Sequence, residues 1–88
     1  MSRSAEKLLV HLQNTTADWA PEQLSQILEG YGFTRKKEAR HGTFFEHPSY
    51  PEWATVIIPR HQKLRNWVAR DVLRKVERVM EQERGKHT

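Results

Sequence analysis

The chain reads as an α+β domain in which helices pack on a three-stranded antiparallel sheet. Two stretches near the start repeat apolar residues at helical spacing. The middle alternates over short runs broken by prolines, and a long helical pattern returns at the end. Eighty-eight residues make one domain, 1–88, with its core expected over about 20–83.

The first helix is expected from about Ser4 to Asn14. Ala5, Leu8, Leu9 and Leu12 form its apolar stripe, Ser4 serves as N-cap, and Asn14-Thr15-Thr16 prefers turns. A second helix follows from Pro21 to about Tyr31, with proline at the position where a missing N–H costs nothing. Leu24, Ile27, Leu28 and Tyr31 recur at i, i+3, i+4 and i+7. Trp19 is placed to staple onto Leu24, and Gly32 suits a left-handed cap.

Strands are then expected near 33–39, 43–47 and 54–58. In the first, Phe33, Arg35 and Lys37 alternate onto one side; Arg40-His41-Gly42 forms a turn or bulge into the second. Pro48 and Pro51 make the next segment a loop, because proline cannot sit inside a sheet ladder. The β-branched run Thr55-Val56-Ile57-Ile58 reads as central or buried on both faces, and Pro59 ends it. Asn66 caps a last helix from Trp67 to about Glu83. Val68, Val72, Val76, Val79 and Met80 line its apolar side, and Arg70, Arg74, Lys75 and Arg78 cover much of the rest. Trp53 and Trp67 are expected to pack into the core rather than stack on bases.

Composition narrows the function. There is no cysteine, so disulfides and thiolate zinc sites are excluded. The start lacks a signal-peptide pattern and the longest apolar run is too short to cross a bilayer, so a soluble, cytoplasmic protein without a membrane partner is expected. The net charge of +4 is uneven: residues 1–32 carry two basic against four acidic side chains, and residues 33–88 carry thirteen against seven. Such a gradient suits an anionic partner, the phosphate backbone of a nucleic acid being the commonest kind. No Gly-rich nucleotide loop and no nucleophile elbow occurs. His41, His47 and His61 lack a carboxylate or cysteine at ligand spacing, so neither metal nor cofactor is expected.

Three segments carry a resemblance. They are Leu24-x-x-Ile27-Leu28-x-x-Tyr31-Gly32-Phe33, then Arg40-His41-Gly42-Thr43-Phe44-Phe45-Glu46-His47-Pro48, then Val56-Ile57-Ile58-Pro59-Arg60-His61 with Leu64 and Arg70-Asp71-Val72-Leu73. In this order and spacing, over roughly residues 20–80, the chain resembles the HicA family of toxins. The resemblance implies an α-β-β-β-α core like that of double-stranded-RNA-binding domains (dsRBD), here with an extra N-terminal helix. It also implies a metal-independent endoribonuclease (mRNA interferase) of a toxin–antitoxin pair, with RNA as substrate and a HicB-like antitoxin protein as partner. The family sets its catalytic histidine after a glycine and a small polar residue, whereas here His41 precedes Gly42-Thr43. Either His41 is that histidine, displaced by one position at a bulged turn, or Gly42 occupies its place and the site is inactive.

The chemistry suits His41. A base can remove the 2′-OH proton so that the oxygen attacks the adjacent phosphorus, and an acid can protonate the leaving 5′-oxygen; histidine serves for both near neutrality. Arg40 adjoins it, and Arg35 and Lys37 are expected on one strand face, supplying cations for the developing phosphoryl charge. Arg60, His61, Arg70 and Arg74 are further candidate RNA contacts, with His61 equally readable as a cap on the following loop. His47 is expected to order the His-Pro turn and His11 to lie on the surface. A non-catalytic RNA-binding or adaptor domain on the same fold is the alternative, and a module meeting an acidic protein is a third class.

Overall fold

The computed structural model describes residues 3–40, 42–60 and 65–85. Its elements run α1 (Arg3–Asn14), α2 (Pro21–Gly30), β1 (Thr34–Ala39), β2 (Gly42–Glu46), β3 (Thr55–Pro59) and α3 (Asn66–Gly85). The order α-α-β-β-β-α and the antiparallel three-stranded sheet are as the sequence predicts. Element ends differ by one or two residues, which is within the fraying of any terminus.

Local chemistry explains each junction. At the end of α1, Thr15 N–H donates to the His11 carbonyl (3.0 Å) and Asp18 turns the chain with φ +61°, a region that Asp tolerates better than most residues. Trp19 is buried just before α2, its indole N–H donating to the Thr15 carbonyl at 2.9 Å. The Gln23 side chain accepts from the Ala20 N–H at 3.0 Å, satisfying one of the donors a helix start leaves open. At the other end Gly32 has φ +95°. Phe33 N–H reaches the Leu28 carbonyl (2.9 Å) and Gly32 N–H the Glu29 carbonyl (3.3 Å), the paired bonds of a Schellman cap. Phe33 thereby enters the core beside Leu28.

One core holds the fold. Leu24, Ile27, Leu28, Phe33, Val56, Ile58, Val68, Val72 and Val76 are all buried in it, joined by Leu9 and Leu12 of α1, Trp19, Phe45 and Tyr50. The sheet order is β1-β2-β3, with β2 in the middle. The expectation that the Thr-Val-Ile-Ile strand is central or buried twice over is therefore corrected. It is an edge strand, buried through Val56 and Ile58, while Ile57 is 61 % exposed. β-Branched residues favour any half-buried pleated surface, so they do not distinguish an edge from a centre. Trp67 is likewise corrected: it is 58 % exposed at the first turn of α3. Trp53, in contrast, packs half-buried against the core.

Candidate functional site

The candidate residues fall into three groups rather than one patch. The first lies beside α2. Arg35 of β1 is bracketed by Glu29 (3.1 Å) and Glu38 (2.9 Å), and Arg60 reaches the other oxygen of Glu38 at 3.4 Å. Two arginines and two glutamates offset each other in a shallow cleft shared with Thr43 and the exposed side of α2. Hydrogen bonds to Glu29 and then Glu38 hold the Arg35 guanidinium above its usual value, so its charge is fixed but already engaged. Its carbon lies 5.5 Å from the Phe45 ring centre.

The second group is on the other side of the sheet. Arg35 pairs with Phe45, but the next paired residue is Lys37, opposite Phe44; Lys36 is the extra residue of a bulge. Successive strand residues point to opposite faces, so Phe45 turns toward the helices and Phe44 away from them. Arg35 and Lys37 are thus on opposite faces, which corrects the expectation that they share one. The bulge is the cause, because one inserted residue shifts every later side chain across the sheet. The register irregularity among the paired residues falls here and not at 40–42, where Ala39 pairs with Gly42. Lys36 also faces the side away from the helices, 3.8 Å from Glu46.

The third group is on α3. Arg70 and Arg74 are exposed one turn apart, with Trp67 on the same stripe and Leu73 and Glu77 beside them. Neither arginine has an acidic partner among the described residues, while the neighbouring Lys75 is held by Asp71 (3.4 Å) and by the Thr55 carbonyl. Arg78, farther along, lies over the Trp53 ring at 4.2 Å. The first turn of α3 contains no acidic residue.

His41 and His61 lie outside the described residues. Their neighbours Arg40 and Arg60 are exposed at the ends of β1 and β3. Gly42 is buried, and a β-carbon there would meet the Ile58 carbonyl oxygen at 2.6 Å, a backbone contact that a side chain cannot make without moving β3. His47 is buried and structural. Its Nδ1 accepts from Ser49 N–H (3.1 Å), and its backbone binds Ala54 and Tyr50 at 3.0 Å each, which closes the His-Pro loop. Its ring continues a series from Phe33 through Tyr50 to Trp53, with centres 5.1–5.4 Å apart. Gly32 leaves room for it: a β-carbon at that glycine would stand 2.8 Å from the His47 Nε2. His11 is exposed, its ring 5.2 Å from that of Trp19.

Beside His47 a cleft of about 630 Å³ opens between the end of α2 and the last turns of α3, lined by Tyr31, Val79, Met80 and Glu83 among others. Burial, then the charge of Glu6, pushes the Tyr31 phenol up from its usual value. Among the described residues no cluster of His, Asp or Glu is placed to hold a metal ion, and no helix is long and apolar enough to cross a membrane.

Sequence reasoning missed the pairing of half-buried Phe44 with exposed Ile57 on the side away from the helices, and the second lysine beside them. The signal was available in Phe44-Phe45: two consecutive aromatics in one strand cannot both face the same helix layer. Compared with protein-family models, with curated proteins and with solved structures, the chain finds no match.

Proposed function

We propose that the chain is an RNA-binding domain that holds the phosphate backbone with the first half of α3. The carrying observation is the exposed stripe Trp67, Arg70 and Arg74, whose arginines have no acidic partner among the described residues. A helix start ordinarily favours acidic side chains because its dipole is positive there. The first turn of α3 has none, and two unpaired arginines follow instead. Cations arranged in this way suit an anion of extended shape, and RNA supplies one phosphate per nucleotide. Arg35 and Arg60, tied to glutamates, are weaker contacts in this reading. The test is RNA affinity across a salt series. Replacing Arg70 and Arg74 by Gln together should weaken binding and reduce the salt slope by about one unit per lost contact. No salt-dependent RNA binding by the parent would end this reading and favour an acidic protein partner.

Cleavage is the second reading, and the packing around Gly42 favours it over an inactivated site. Position 42 has no space for a side chain unless β3 moves, which leaves His41 as the histidine of the β1–β2 connection. In this reading the element order is that of a dsRBD-like fold with an extra helix, and the protein is a HicA-like endoribonuclease restrained by a HicB-like antitoxin. His41 acts as base or acid, with Arg40 next to it in the chain. His41→Ala should lower cleavage by about 10²–10⁴-fold while RNA binding persists, measured on RNA in excess chelator. A parent that binds RNA and never cuts it leaves the binding domain alone.

A further inference from the structure

We infer that the face of the sheet left uncovered by the described residues is a stacking platform for unpaired RNA bases, which rests on the RNA-binding reading and assigns it a second surface. The face is made by alternate residues of the three strands. Phe44 and Ile57 are directly opposed across β2 and β3, Lys37 opposes Phe44 across β1, and Glu46 and Thr55 complete the row. Ile57 is 61 % exposed and Phe44 half-buried. An adjoining aromatic and aliphatic pair in the middle of a bare sheet is the informative kind of exposure, unlike a single apolar residue on a surface.

The bulge identifies the occupant. In regular alternation after Arg35, Lys36 alone would point to this face and Lys37 would point toward the helices. The inserted residue places both lysines on the bare side, flanking Phe44. Lys36 is 3.8 Å from Glu46, whereas Lys37 has no partner among the described residues. Cations beside a half-exposed ring are what a single strand requires, since the ring takes the face of a base and the ammonium groups take the flanking phosphates. A regular duplex keeps its bases stacked inside and offers none of them to Phe44.

The experiment compares binding of a short fluorescein-labelled oligouridylate with that of an A-form duplex RNA, using the full chain. Phe44→Leu keeps an apolar side chain and removes the ring; it should weaken oligouridylate binding by about five- to hundredfold and leave duplex binding unchanged. Phe44→Trp should restore it, and Lys37→Gln, which leaves the core untouched, should weaken the oligouridylate selectively. Thermal melts of each variant establish that it is folded. If Phe44→Leu and Lys37→Gln bind oligouridylate like the parent while the Arg70 and Arg74 double variant does not, the platform is wrong and RNA binding by α3 stands. If the parent binds neither RNA, both readings fall. A concentration-dependent dimer that Ile57→Lys dissolves would overturn the proposal in favour of a second copy on this face.

Discussion

The two faces of the sheet are built from neighbouring residues of the same strands, and the rest of the chain treats them oppositely. Phe45, Val56 and Ile58 are 0, 2 and 1 % exposed beneath the helices, whereas Ile57, lying between two of them, is 61 % exposed. The side chains are of the same chemical kind on both faces. What differs is cover: α2 and α3 pack on one side only, and α1 packs on α2 and α3. Hydrophobic residues are thus inside where a helix lies over them and outside where none does, so an apolar residue alone does not mark the core. The polar neighbours separate the faces better. On the covered side the cation at the rim, Arg35, is bound by two glutamates; on the other side Lys36 lies near Glu46 and Lys37 has no acidic partner among the described residues.

The largest effect should come from charging the covered side. Val72 of α3 is fully buried in the common core. Val72→Asp would leave a carboxylate there without a partner, at several kcal/mol, about the whole stability of a small domain. The variant should give no cooperative thermal transition by circular dichroism. If it melts like the parent, α3 does not cover the sheet in the way described.

Phe45→Ala comes next. The side chain is wholly buried at the centre of β2, and truncating it removes contacts on every side. A loss of about 3–5 kcal/mol is expected in urea unfolding. A loss below about 1 kcal/mol would mean that the two sides of the sheet are alike in packing.

The helices and the core were readable because periodicity and capping act locally. Leu24, Ile27 and Leu28 declare one helix face, and Gly32 declares its end, without help from the rest of the chain. Strand position was not readable, because Thr-Val-Ile-Ile suits an edge as well as a centre, and only the pairing with β2 decides. The grouping of Arg35 with Lys37 failed for a related reason. Alternation assigns faces only while the register is unbroken, and a bulge among consecutive polar residues leaves no trace in an apolar pattern. Trp67 was misplaced because a large aromatic on an amphipathic helix is usually core, and here it lies outside the row of buried valines. Arg70 and Arg74 were expected on the exposed side of that helix and are there.

A smaller effect is expected where the bare side closes. Gly42 is in phase with Phe44, yet it is buried, with the Ile58 carbonyl 2.6 Å from where a β-carbon would stand. Gly42→Ala gains about 0.4–1 kcal/mol from a stiffer unfolded chain but forces β3 to shift, at about 1–3 kcal/mol. The melting temperature should fall modestly. A rise would mean that β3 yields easily, and the steric case for His41 over position 42 would fall with it.

The smallest effect should be at Ile57, and its smallness is what makes it useful. The side chain is mostly in solvent, so Ile57→Thr keeps a β-branched residue in the strand and removes little buried surface. Stability should stay within about ±0.5 kcal/mol of the parent, the usual range for surface positions without special contacts. Phe45→Ala and Ile57→Thr together then measure the contrast between the faces on one scale, with Phe45 and Ile57 in strands that pair directly. The same Ile57→Thr protein should bind oligouridylate more weakly than the parent, since the isoleucine extends the apolar surface beside Phe44. A destabilisation as large as that of Phe45→Ala would show that Ile57 is covered in solution, and the bare face would no longer exist for RNA to occupy.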